Sequence, residues 1–218
     1  MLIMNIKELE KYWNNNFIRY EKEKLNLYKF DQYTINFLIK VGLPNGKNAK
    51  GKLAYNFLDI DNIQKKLIND EEYIKIAQYR HSDAFIAVKV STQEVFYISL
   101  ADEIYAPKDI IEYCNKDIES FIIFCTILAF NYDKYSNIED DELEGYLCAR
   151  ETVEKFKEMD IKTVYKESYW INTLMNYAID YFYEIDDKFQ RTLEKKQYNT
   201  YKDAIYSALL NGIEQALK

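Results

Sequence analysis

"YIKIAQYRHSDAFIAVKVSTQEVFYISL", residues Tyr73 to Leu100, contains three runs rich in β-branched and aromatic residues. They are Tyr73 to Arg80, Ala84 to Val90 and Glu94 to Leu100, and only "HSD" and "STQ" separate them. Such side chains favour a pleated, half-buried surface over a helix, and loops that short suit an antiparallel meander.

Working upstream, "KLAYNF" (Lys52 to Phe57) alternates like a further strand, and "DIDNIQKKLIND" (Asp59 to Asp70) reads as a short helix or turn. Asp31 to Val41 sets Ile35, Leu38 and Ile39 at helical spacing behind Asp31, a residue suited to an N-cap. Gly42 stands where a helix C-cap wants a left-handed residue, and Pro44 prevents continuation. Ile6 to Tyr20 reads as a helix giving way to an aromatic connector. Downstream of Pro107 the period changes. Asp117 to Tyr132 is apolar on nearly every face, which suits a helix buried against a sheet. Asp140 to Met159, Trp170 to Ile185 and Tyr201 to Leu217 each carry one apolar stripe. Central strands with helices on both sides in sequence make the expected class α+β, with a helical C-terminal half. A single domain over residues 1–218 is the expectation.

Several motifs resemble chemistry and fail on context. Gly46 to Lys52 spells G-x-x-x-x-G-K, the opening of a phosphate-binding loop. That loop needs a preceding strand, a following helix and a Ser or Thr for magnesium. Here a helix precedes, a strand follows and Leu53 takes the Ser/Thr position, so the glycines read as punctuation between helix and sheet. Asp140, Glu142, Glu144, Gly145 and Glu151 fall at positions 1, 3, 5, 6 and 12 of a calcium loop. Glutamates at positions 3 and 5 would crowd the ion, while acids in a first helical turn suit the macrodipole. Asp59 and Asp61 read as caps. His81 is the only histidine, so no histidine cluster or triad can be assembled around it except on that residue alone. No catalytic residue, cofactor or metal ligand is expected.

The three cysteines, Cys114, Cys125 and Cys148, have no C-x-x-C spacing, and reduced thiols in a cytoplasm are the plain reading. The longest apolar run, Phe121 to Phe130, is about half of what spans a bilayer, and the start has no basic region typical of a signal peptide. A cytoplasmic protein without membrane contact is expected. Net charge is −7, unevenly placed: residues 1–58 carry +5, whereas Glu94 to Glu144 carry thirteen acids against three lysines. Such a surface repels nucleic acid and attracts a basic partner. Glu139, Asp140, Asp141 and Glu142 are four successive acids that cannot all enter a core, and they form the candidate partner-binding residues.

The order of pieces carries a resemblance. "FLIKVGLP" (Phe37 to Pro44) leads into "LAYNF", then into the hairpin "AFIAVKVSTQEVFYISL", with "STQEV" in place of an Asp-x-x-Thr-Gly-Glu-Val turn. "YCNKDIESFIIFCTIL" (Tyr113 to Leu128) and "SYW" (Ser168 to Trp170) follow. This resembles the SUKH superfamily of bacterial immunity proteins, its fourth group in particular, distant relatives of a yeast cell-wall-synthesis regulator. The similarity covers roughly 26–185, and leaves Asp186 to Lys218 as a C-terminal helical extension. Gln93 stands where the family has glycine. The resemblance implies a curved antiparallel sheet flanked by helices. It also implies a non-enzymatic role: binding and neutralising a cognate polymorphic toxin, often a nuclease. The competing expectation is a cytoplasmic scaffold or regulator without a toxin partner. An enzyme reading rests only on the glycine-lysine loop and scattered carboxylates.

Overall fold

The computed structural model describes residues 6–45, 53–80, 82–101, 108–136, 141–165, 167–184 and 201–212. The fold is α+β, with antiparallel sheets in the first part and helices filling the C-terminal half. The chain gathers into two compact units, Met1–Thr126 and Ile127–Lys218, and the boundary falls inside a helix.

In the first unit, α1 (Ile6–Tyr12), β1 (Phe17–Ile18), α2 (Lys22–Leu25), α3 (Gln32–Lys40) and β2 (Leu43–Pro44) precede the main sheet. That sheet comprises β3 (Tyr55–Phe57), β4 (Gln64–Ile68), β5 (Glu71–Tyr79), β6 (Phe85–Lys89), β7 (Val95–Ser99) and β8 (Ile110–Asn115). Its order is β3-β5-β6-β7-β8, and β4 shares the β3 side of β5. β5 can hold both because it is nine residues long: β3 pairs with Ala77 to Tyr79 and β4 with Glu71 to Lys75. Between β5 and β6 the register shifts at Lys75/Ala77, leaving Ile76 as the extra residue of a bulge.

The meander expected from Tyr73 to Leu100 is present as β5, β6 and β7. Asp59 to Asp70, expected as a short helix or turn, instead contains the strand β4. The reason is its edge position. Gln64, Lys65 and Leu67 lie in water, so burial imposes no apolar alternation on the sequence. Asn69 and Asp70 both adopt left-handed backbone (φ 50° and 62°), the two-residue turn that joins twisted antiparallel strands. β8 is a second strand that the pattern does not announce, because it runs almost directly into the next helix.

Asp31 caps α3, its carboxylate accepting from the Thr34 N–H at 2.7 Å. Gly42 has φ +89°, and a Cβ there would sit 2.3 Å from the Ile18 carbonyl oxygen. Pairing of Leu43–Pro44 with Phe17–Ile18 brings those backbones together, so Pro44 belongs to a two-stranded ribbon as well as ending the helix. Gln93 is left-handed too (φ 62°), and its side chain is fully used. Its Oε1 accepts from the Asp31 N–H at 3.0 Å, while its Nε2 donates to the Lys29 carbonyl at 3.1 Å and the Val90 carbonyl at 2.8 Å. The β6–β7 turn is thereby tied to the entrance of α3.

α4 (Ile118–Tyr135) begins at Asp117, whose carboxylate accepts from the Ser120 N–H at 2.7 Å. Its N-terminal half packs on the sheet: the Phe121 ring lies 5.8 Å from Tyr55 and 6.5 Å from Phe57, and the Tyr55 hydroxyl meets Cys125 Sγ at 2.8 Å. Trp13 Nε1–H donates to Thr126 Oγ1 at 2.8 Å, which itself donates to the Ile122 carbonyl. In the second unit, α5 (Asp141–Met159), a 3-10 turn (Ile161–Val164), α6 (Tyr169–Glu184) and α7 (Tyr201–Asn211) bury Phe156, Trp170, Leu174, Ile205 and Leu209. Gly145 lies inside α5, where a Cβ would meet the Tyr177 carbonyl oxygen of α6 at 2.0 Å. This glycine lets two helix backbones touch.

Gly42→Ala should therefore lose at least about 1–2 kcal/mol to left-handed backbone strain alone, before Ile18 is displaced. Gly145→Ala should also destabilise, by separating α5 from α6. Urea unfolding of both variants checks this, and wild-type midpoints would refute the two close approaches.

Candidate partner-binding surface

Of the four acids singled out by the sequence, Glu139 and Asp140 lie outside the described residues. Asp141 and Glu142 open α5 in its first turn, where the helix dipole favours negative charge. The calcium-loop reading fails on the backbone, since residues 141–151 are helical throughout. Its last ligand position, Glu151, is already engaged: Lys134 Nζ lies 2.5 Å away and the Tyr135 hydroxyl 2.7 Å. Gly46 to Lys52 (through residue 52) and His81 lie outside the described residues. Asp59 caps a turn, accepting from the Asp61 and Asn62 N–H groups at 3.1 Å, and Asp61 pairs with Lys24 at 2.8 Å. Among the described residues no three His, Cys, Asp or Glu side chains are grouped to hold a metal ion. No described helix is long and apolar enough to cross a membrane.

The three thiols are free and buried. Burial pushes Cys114 and Cys125 well up, and pushes Cys148 up to about 12 against the hydrogen bond from Thr152. They are held as neutral packing groups rather than thiolates.

The sheet offers a better-defined surface than the acidic run. Strand register assigns Tyr55, Phe57, Ile74, Ala77, Ile86, Val88 and Val95 to one face, the face on which α4 packs. The opposite face carries Lys66, Ile68, Tyr73, Lys75, Gln78, Phe85, Ala87, Phe96, Ile98, Ile111 and Tyr113. Its apolar cluster consists of Ile68, Tyr73, Phe85, Ala87 and Ile98, with half-buried Phe96 and Ile111 against it, and every member comes from a strand. The centre of this face is buried, with Ala87 and Ile98 at 0% exposure, while Lys66, Lys75, Phe96, Ile111 and Tyr113 are half-buried. Across this face Tyr73, Phe96 and Tyr113 form an edge-to-face ladder, with centroids 5.9 and 6.0 Å apart and ring planes at 85° and 82°. Lys75 Nζ rests 5.3 Å from the Phe85 centroid and donates to Gln78 Oε1. Lys89 pairs with Glu71 at 3.0 Å.

Sequence reasoning finds the strands but not this face. The alternation Tyr73/Lys75, Phe96/Ile98 and Ile111/Tyr113 is visible in the chain. The bulge at Ile76 breaks it within β5 and brings Lys75 and Gln78, three residues apart, to the same side.

In comparison with known proteins, no family model, curated protein or solved structure matches the chain.

Burial raises the Glu151 carboxyl, but hydrogen bonds from Lys134 and Tyr135 outweigh it and hold the group below its ordinary value. A depressed carboxyl stabilises the fold above its unfolded value, and that contribution is lost as pH falls through the folded one. Glu151→Gln should therefore unfold more easily than wild type at neutral pH and converge with it in acid, as thermal melts across pH will register. The thiols should resist Ellman's reagent at pH 8 in the native protein, and all three should react once it is unfolded.

Proposed function

We propose that the chain is a binding protein that neutralises a basic toxin by occlusion, as the SUKH resemblance implies. The observation that carries this reading is the concentration of charge between Glu94 and Glu144, thirteen acids against Lys108, Lys116 and Lys134. Lys134 is bonded to Glu151, outside that segment, and so does little to neutralise it. An acidic surface speeds encounter with a basic nuclease and competes for the groups that would hold phosphates. The α+β architecture, with its antiparallel sheet and helical C-terminal half, is compatible with the resemblance. On this reading the protein works in the cytoplasm of the producing cell, and Glu139 to Glu142 steer the toxin onto it. A second reading, a scaffold or regulator without a toxin, is favoured by the aromatic face of the sheet, whose charge is of the opposite sign.

Replacing Glu139, Asp140, Asp141 and Glu142 by lysine should slow association with the toxin encoded beside the gene more than it speeds dissociation. The effect should shrink as salt rises, because exposed charges mainly steer encounter. Association rates at two salt concentrations, with rescue of toxin-expressing cells, test this. Unchanged rates and unchanged rescue would move the interface away from these residues.

A further inference from the structure

Among the described residues β8 pairs with β7 alone and forms one edge of the main sheet. The Lys89 N–H donates to the Glu94 carbonyl at 2.9 Å, so these two residues form a bonded pair of the β6–β7 ladder. Bonded and non-bonded pairs alternate along an antiparallel ladder. Glu94, Phe96 and Ile98 therefore turn their main-chain groups to β6, and Tyr97 and Ser99 turn theirs to β8. Tyr97 stands opposite Glu112, and Ser99 opposite Ile110. The groups of Ile110 and Glu112 thus point into the β7–β8 ladder, and those of Ile111 and Tyr113 point out of it. The outward N–H and C=O of Ile111 have no hydrogen-bond partner among the described residues, although the residue is half-buried. Main-chain groups in that position are a template for another strand.

The other side of the sheet is protected. β3 is three residues long, and β4 carries Lys65 and Lys66, whose charge resists pairing. The accessible half of β8, Ile110 to Tyr113, has no lysine or proline, and the bulge against β7 comes only after Tyr113. Charge decides what this edge suits. From Glu94 to Thr126 seven acids stand against Lys108 and Lys116. Three of those acids bond to neutral donors: Asp109 accepts from the Ala101 N–H at 2.7 Å, Asp117 from the Ser120 N–H at 2.7 Å, and Glu119 from the Tyr33 hydroxyl. A second copy would double the negative charge at the seam, whereas a basic strand is attracted by it. The period of a strand also matches the edge. One set of its side chains lies beside half-buried Ile111 and Tyr113, and the other on the side of Glu112.

We propose that β8 is the edge to which a basic partner adds an extended strand, main chain to main chain at Ile111, with apolar side chains beside Ile111 and Tyr113 and cationic ones on the side of Glu112. This mode of docking rests on the reading of the partner as basic and adds how that partner is held.

The test titrates the full chain against three labelled dodecapeptides by fluorescence anisotropy: alternating Lys-Val, alternating Lys-Pro of equal charge, and alternating Glu-Val. Proline cannot complete a ladder, so Lys-Pro reports charge attraction alone. Saturable binding of Lys-Val is expected, about tenfold tighter than Lys-Pro, with none by Glu-Val. Ile111→Pro removes an N–H that the β7–β8 ladder does not use, so it should keep a cooperative melt. Ile110→Pro removes one directed at Ser99 and should melt at a lower temperature. Ile111→Pro should also bring Lys-Val down to the Lys-Pro level and leave Lys-Pro unchanged. Equal binding of Lys-Val and Lys-Pro by the wild-type chain would overturn strand addition and leave a basic partner standing. Tighter binding of Glu-Val would overturn the basic reading as well. Absence of saturable Lys-Val binding, unchanged Lys-Val binding by Ile111→Pro, or a melt of Ile111→Pro as low as that of Ile110→Pro would each sink the proposal. So would self-association lost in Ile111→Pro, which makes the occupant a second copy.

Discussion

The first unit is organised by β5 and the single extra residue within it. Backbone groups in a sheet must find partners, and β5 finds them on both sides: β6 along one edge, β3 and β4 in tandem along the other. Without the bulge at Ile76, strict alternation would set Tyr79 on the side of Tyr73 and Lys75. With it, Tyr79 joins Tyr55 and Phe57 on the helix-covered face, while Lys75 and Gln78 meet on the other. Burying Ile76 at 0% exposure fixes the irregularity in place, because no register slip can relocate that side chain without exposing it. The faces taken by β3 and by the Ala77–Tyr79 end of β5 follow from that one offset.

Legibility in the sequence tracked burial. β6 was plain because four of its five residues are buried and β-branched, aromatic or small. The α3 cap and the left-handed Gly42 were plain because Asp31 and a glycine each have a local mechanism. β4 was hidden because an edge strand has no obligation to alternate, and its only local sign was Asn69-Asp70 in the turn that follows. The acidic run was visible as charge. A charge run has no geometry of its own, however, and the sequence could place it no more finely than at a helix start. Lys66 was hidden from the aromatic face of the sheet because it joins that face through β4, a strand the pattern does not announce.

Polar groups inside the first unit hold together elements that propensity alone would leave loose. The two-residue ribbon β1–β2 and the four-residue α2 are far too short to persist unaided. They are tied down at several points: the Tyr20 hydroxyl donates to the Leu58 carbonyl, Tyr28 to the Ile63 carbonyl, and Lys29 pairs with Glu72 at 2.7 Å. Tyr20 and Tyr28 each serve twice here. Each ring contributes packing area, and its hydroxyl finds a carbonyl that no secondary structure uses.

Gln93 gives this stitching a dynamic aspect. The amide of Asp31 is bonded to a side chain 62 residues away, and that side chain also holds the carbonyls of Lys29 and Val90. The hairpin tip and the start of α3 cannot separate without breaking the bonds from Gln93 to Asp31 and Lys29. In hydrogen exchange, the Asp31 amide then reports on the tip of a hairpin in which it has no part, and the two segments behave as one cooperative opening unit. A glycine at that turn would ease the backbone yet uncouple the pair, so the left-handed glutamine exchanges local comfort for long-range coordination.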